Sequence, residues 1–345
     1  MSTLSDTAPR RALPVNSLLL AALAALALLS LTIGPVPLAL DEVARALLPG
    51  GAIEAGSEAL RQHAIVTEIR LPRVLLAILV GMALGMSGAA LQGLLRNPLA
   101  EPGLLGVSSS ASLGAVLCLY FGLAQLNIWL LPATAMSCAA LATLVLYLIA
   151  QRGAGNLTLI LAGVALSSLA GALTSLAINL APSPTDVQDI VLWLLGSLAD
   201  RSFDDIRLAL PFVLAGLVLL AFCARELDAL TLGEDEAASL GTNLPRLRAL
   251  VILGSALCVG ASVAVTGAIG FIGLVVPHML RRAVRYQPAR LLPASALGGA
   301  VLLLGADIVL RLVSGSFELM LGVVTALIGA PFFFALVLRE RMVQA

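Results

Sequence analysis

The side chains that could do chemistry in this chain are few, and their spacing narrows them further. Ser87 lies in Gly85-Met86-Ser87-Gly88, and a serine among glycines can act as a nucleophile when a base stands within hydrogen-bond reach. The chain holds two histidines, His63 and His278. His278 follows Pro277 and precedes Arg281-Arg282, toward the charged end of its apolar run, and His63 falls among polar residues. Neither position supplies Ser87 with a base. Asp307 is the one candidate for a carboxylate inside a span, and Arg311 follows it by four residues, so the two can pair on one helix face. Cys118, Cys138, Cys223 and Cys258 stand singly in apolar stretches. They read as small hydrophobes, not as a disulfide framework or a metal site. All 20 basic residues are arginine. Without lysine there is neither a phosphate-binding loop nor a Schiff base.

The elements that must position these residues follow from composition. Hydrophobic residues make up 60% of the chain and charged ones 12%, with a mean hydropathy of +1.04. That describes an integral membrane protein of α-helical spans. At about 20 apolar residues per span, the length allows about nine to eleven helices. The runs do not alternate polar with apolar residues, which excludes a β-barrel. The formal net charge is zero, and no basic stripe with interleaved aromatics points to nucleic acid.

In chain order, residues 1–16 read as a polar cytoplasmic leader and 17–345 as a single transmembrane domain. Spans are predicted at about 17–33, 71–95, 103–122, 128–150, 157–180, 206–223, 249–268, 270–284, 291–313 and 319–338. Residues 34–69 form a polar, helix-prone segment at the interface. The apolar run 190–198 is too short to cross, so 186–198 is predicted as a re-entrant or interfacial helix. Ser167, Ser168, Thr174, Ser175 and Asn179 give the fifth span a polar stripe suited to lining a path.

Between the sixth and seventh spans lies an island of eight charged residues, Arg225–Arg248. Glu234-Asp235-Glu236 cannot lie in hydrocarbon. They suit the first turn of a helix that starts after Gly233. Gly241 can take the left-handed stop, and Thr242 or Asn243 can cap a second helix with Pro245 in its first turn. The result is a charged elbow of two short helices. With the N-terminus inside, 13 arginines fall on the inner side and seven outside, which places the elbow and both termini in the cytoplasm. The elbow also halves the chain: Pro72-Arg73 precedes Gly81 by the spacing with which Pro245-Arg246 precedes Gly254, as inverted repeats would give.

Residues 69–107, IRLPRVLLAILVGMALGMSGAALQGLLRNPLAEPGLLGV, resemble the permease subunits of type II ABC importers for iron chelates, haem and vitamin B12. LGEDEAASLG in the elbow, GAIGFIGLVVPHMLR at 267–281, ADIVLRL at 306–312 and GVVTALIGAPFF at 322–333 carry the same likeness in order, from about residue 60 to the C-terminus.

The resemblance implies an all-α, inverted-repeat permease fold of about ten spans in the bacterial inner membrane. It implies two copies of the chain around a central path, two separate ATP-binding cassette subunits that use ATP and Mg, and a periplasmic substrate-binding protein. No cofactor is expected on this chain. Arg70, Arg73 and Arg311 are then the docking points for the binding protein. Gly233, Glu234, Leu240, Gly241 and Leu244 form the ATPase-coupling surface. Asn97, Pro98, Leu99 and the 151–156 loop are the inner gate, with Ser167, Ser168, Thr174 and Ser175 along the path. Haem is the first choice of cargo, with vitamin B12 or a ferric siderophore as alternatives. Two remote readings remain: an ion-coupled transporter using Asp307, and an intramembrane serine protease using Ser87.

Overall fold

The structure, a computed structural model, describes residues 15–48, 58–127, 129–152, 155–313 and 319–344, with side chains in the last helix as far as Phe334. Of the leader 1–16, residues 1–14 lie outside the described residues, as does 49–57 of the interface segment. The described residues form helices and no strand. In order these are α1 Val15–Thr32, α2 Leu40–Leu47, α3 Glu58–Ala64, a short π-helical stretch Ile65–Arg70 running into α4 Leu71–Leu94, and a 3₁₀ turn Pro102–Leu105. Then come α5 Val107–Tyr120, α6 Leu123–Leu126, α7 Leu130–Gln151, α8 Asn156–Asn179, α9 Pro184–Leu194 and α10 Phe203–Phe222. The chain continues through α11 Ala224–Leu230, α12 Glu234–Ser239, α13 Leu244–Thr266, α14 Ile272–Leu280, α15 Pro288–Val313 and α16 Leu321–Gln344.

Among the described residues seven helices are long and apolar enough to cross a membrane: α1, α4 with its lead-in, α7, α8, α10, α13 and α15. The tenth predicted span forms the 24-residue α16, and the remaining two are shorter. The third is split into the 3₁₀ turn and a 14-residue α5. The eighth, expected over 270–284, contracts to the nine residues of α14. At 1.5 Å per residue α14 covers about 13.5 Å of the roughly 30 Å needed, so it crosses only part of the membrane. The 186–198 segment forms the eleven-residue α9, capped by Ser183 Oγ, which accepts from the Asp186 N–H. Outside the spans, α2 begins with Glu42 accepting the Ala39 N–H at 2.8 Å, and Arg45 beside Asp41 holds that carboxyl below its ordinary value.

The core is the packing of α4 against α15, α13 and α14, with α10 and α5 around it. Small residues make that packing possible. A Cβ on Gly85 would collide with the Ser295 carbonyl of α15, and one on Gly88 with the Gly273 carbonyl of α14. In lipid, where burying an apolar chain gains little, such close backbone approach supplies the van der Waals contact that holds helices together. The matched helices of the two proposed halves, α4 and α13, both carry proline in the first turn. They are also the two most buried spans, at 83% and 78%.

Candidate functional site

At one end of the bundle three arginines and one carboxylate come together. Asp307, fully buried on α15, receives Arg73 from α4 through Nε at 3.0 Å and Nη2 at 2.7 Å, and Arg311 through Nε at 3.1 Å. The expected Asp307–Arg311 pair is therefore present, and Arg73 joins it. Two guanidiniums on one carboxylate leave a net positive charge. They also occupy the oxygens that an ion-coupled transporter would need for a proton or sodium ion. Arg311 further donates to the carbonyls of Ser30 and Ile33 at 3.0 and 2.9 Å and to Ser30 Oγ.

Arg70 is placed differently. It is only 4% exposed and turns toward the end of α1, donating to the carbonyls of Leu31, Thr32 and Val36. Leu31 and Thr32 close the last turn of α1, where carbonyls lack a partner within the helix, and Val36 follows in the chain after it. Arg70 thus ties α1 to α4. Arg73 and Arg311, in contrast, line a cleft of about 790 Å³ together with Asp189, Asp200 and Arg201. The cleft therefore carries both signs of charge. The link between Arg73 and Asp307 spans 234 residues. The only sequence signal for it is that an intramembrane carboxylate needs compensation beyond a single neighbour.

Along the middle, α8 presents its polar stripe to the outside of the chain. Ser168 and Ser175 are exposed, while Ser167 and Thr174 are half-buried. Ser167 Oγ donates to the Gly103 carbonyl at 3.4 Å, which pins the 3₁₀ turn against α8. The opposite end holds the two loops expected as a gate. Asn97 folds its Oδ1 back to accept the Leu99 N–H at 2.9 Å, a tight turn around Pro98. Asn156 donates to the Leu94 carbonyl at 3.4 Å, so the second loop touches the last turn of α4. Nearby, Gln92 on α4 donates to Gly273 and Leu274 carbonyls and accepts from Arg281 at 2.5 Å, fastening α14 to α4. The turn at Asn97-Pro98 is local, whereas the contacts of Asn156, Gln92 and Arg281 have no local sequence pattern.

The elbow follows its predicted punctuation with one correction. α12 begins after Gly233 with three acidic residues in its first turn and stops at Gly241, φ 91°. The Thr242 N–H reaches the Ala237 carbonyl, and the Gly241 N–H the Ala238 carbonyl, a paired C-terminal closure. Asn243 caps the next helix by accepting the Arg246 N–H at 3.0 Å. That next helix is not a separate short piece. It is the first turn of the seventh span, because nothing after Pro245 breaks the pattern, and α13 runs unbroken from Leu244 to Thr266. The second short helix of the elbow is instead α11, ahead of Gly233. Arg248, 7% exposed, grips both Glu234 oxygens at 2.9 and 3.0 Å and props α12 against α13. Asp228 on α11 accepts the Ala289 N–H at the start of α15. Leu240 stands 66% exposed at the tip, whereas Leu244 packs against the core.

The described residues give Ser87 no hydrogen-bonded base. Ser87 Oγ is fully buried with no hydrogen bond among the described residues. His278 stacks edge-on to Phe332 with ring centres 5.8 Å apart. His63 Nδ1 meets the Ala46 carbonyl at 2.7 Å and so donates to it. Among the described residues no group of three or more His, Cys, Asp or Glu gathers to hold a metal ion.

This arrangement has clear likenesses. The chain is 41% identical over 321 residues to the Fe(3+) dicitrate transport system permease protein FecD of Escherichia coli K12, covering 93% of this chain and 96% of that one. It is 41% identical over 277 residues to the hemin transport system permease protein HmuU of Yersinia pestis, covering 79% and 83%. A solved structure of a proposed metal-chelate type ABC transporter in an inward-facing conformation superposes with a TM-score of 0.83 at 33% identity, over 94% of this chain and 99% of that one. The model of the FecCD transport family matches residues 22–339, which takes in the arginine cluster, the polar stripe, both loops and the elbow. The chain belongs to the FecCD transport family.

Proposed function

We propose that this chain is the permease subunit of an ATP-driven ABC importer that carries a large metal chelate inward across the bacterial inner membrane. The observation that carries the reading is the elbow. A chain with no lysine, and so no phosphate-binding loop, presents an exposed leucine on an acidic helix that an ion pair props against a buried span. Such a feature transmits movement from a soluble partner, here an ATPase that uses ATP and Mg. Two copies of the chain, two ATPases and a periplasmic binding protein complete the assembly, with both termini and the elbow in the cytoplasm. Arg73 and Arg311 receive carboxylates from the binding protein, and Arg70 holds the end of α1 beside them. The stripe of α8 lines the shared path, and the Asn97–Leu99 and 151–156 loops close it.

Relatives named for ferric dicitrate, hemin and vitamin B12 match at 41%, 41% and 43%. Haem, cobalamin and ferric chelates therefore stand level as cargo, and the chelate retained by the cognate binding protein decides among them. The coupling reading is tested with Leu240→Asp. The variant should keep the permease dimer but lose ATPase co-purification or uncouple hydrolysis from uptake. Wild-type uptake with wild-type ATPase retention would overturn it.

A further inference from the structure

Away from the cleft and the stripe, the bundle carries a second large cavity of about 610 Å³, within the range of roughly 300–1,000 Å³ typical of ligand sites. α7 and α10 form its walls and α13 its floor, and no residue of α8 lines it. The lining is apolar and open to the side: Leu144, Tyr147, Phe212 and Leu253 are each between 37% and 51% exposed. On the floor, Gly260 lies against Ala139 of α7. The apolar walls alone do not name an occupant. The charges at one end do.

The three helices share an end. Gly260 meets Ala139 while Ile252 and Tyr147 line the cavity together, so α7 and α13 run antiparallel. Gly216 abuts Cys258 and Leu220 abuts Gly254, so α10 also runs antiparallel to α13. The last residues of α7 and α10 and the first of α13 therefore lie at the same level. Arg152 follows Tyr147 by five residues, about 7.5 Å along the axis, and Arg246 precedes Ile252 by six, about 9 Å. Arg225 stands in the first turn of α11, three residues after α10 ends. All three arginines are exposed, and none is in an ion pair among the described residues. Of the acidic residues in the elbow, Glu234 is held by Arg248, and Glu226 has one oxygen buried. This is the end that the arginine count assigns to the cytoplasm, the leaflet richest in anionic lipid.

We propose that the groove between α7 and α10 holds one anionic phospholipid, its acyl chain along α13 and its phosphate at Arg152, Arg225 and Arg246. Guanidinium forks suit phosphate oxygens, and a juxtamembrane arginine favours an anionic headgroup. The apolar groove has no lining residue from α8, while its three arginines belong to the 151–156 loop and the elbow, so a bound lipid bears on how those two segments sit at the membrane surface and not on the cargo.

The test uses the purified, delipidated chain in detergent, titrated with phosphatidylglycerol or phosphatidylethanolamine of identical acyl chains and read by native mass spectrometry. One phosphatidylglycerol per chain should be retained, with about ten-fold preference over phosphatidylethanolamine. The double variant Arg152→Ala/Arg246→Ala should lose most of that preference. Ala140→Trp, at an exposed lining position, should expel both lipids without lowering the melting temperature. Equal retention of the two lipids, or an unchanged preference in the double variant, would overturn the proposal. So would a groove that proves to be a contact between copies, seen as loss of dimer in Ala140→Trp.

Discussion

α4 and α8 are both 24 residues long and nearly equal in mean hydropathy, 2.3 and 1.9 for their most apolar windows, yet 83% of the first window is buried and only 17% of the second. Their amino-acid content does not explain the difference, since both are rich in alanine and carry glycine. The difference lies in how many small residues meet a backbone. Gly81, Gly85 and Gly88 of α4 all press against α15 or α14, whereas α8 meets only the 3₁₀ turn at Gly163, and its Gly171 has no atom within 4 Å of where its Cβ would stand. α4 is a structural centre, and α8 is a surface that awaits water, lipid or a second copy. The buried helix also owns the charged contacts: Arg73 near its start and Gln92 near its end.

That contrast breaks most sharply at Asp307. Asp307→Ala leaves Arg73 and Arg311 beside each other without their shared counter-ion, and should cost about 3–5 kcal/mol, as when one member of a buried pair is removed. Ser168→Ala on α8 should stay within about 0.5 kcal/mol. Reversible unfolding in detergent measures both, and equal losses would end the distinction between the helices. Next, Gly85→Leu should destabilise by at least about 1–3 kcal/mol, because it must force apart α4 and α15. Gly171→Leu should leave the melting temperature of the single chain unchanged, and any loss it causes should appear in uptake.

A third measurement asks whether α4 acts through its ends. Arg73→Glu should weaken binding-protein association more than ten-fold, or about 1.4 kcal/mol. Wild-type association should also weaken as salt rises. An unchanged affinity in a folded complex would make Arg73 a purely structural partner of Asp307. The smallest effect is expected at Arg96, which closes α4 at φ 49°. Its neighbours form the same paired closure as at Gly241: Arg96 N–H to the Gly93 carbonyl and Asn97 N–H to the Gln92 carbonyl. A left-handed residue with a side chain costs about 1–2 kcal/mol, and glycine gives back roughly 0.5–1 of that as entropy. Arg96→Gly should therefore raise stability by up to about 1 kcal/mol. A fall would mean that the Arg96 side chain makes a contact worth more than its strain.

Much of the architecture was legible residue by residue. Hydropathy marks the long spans, and their ends fall within a few residues of the proline, glycine and arginine punctuation. The elbow's stop at Gly241 and cap at Asn243 follow from local conformational preference. The absence of lysine excludes whole classes of chemistry. Tertiary structure alone decided the rest. The shortness of α14 escaped because an apolar run does not reveal where the backbone turns. Asn156 reaches the Leu94 carbonyl at the end of α4, and Arg70 faces α1 while Arg73 faces α15. Those two arginines are three residues apart in one sequence motif. Above all, hydropathy could not separate α4 from α8, because lipid tails are as apolar as a protein interior. A span is equally content in either, and only the backbones that approach its glycines decide which it receives.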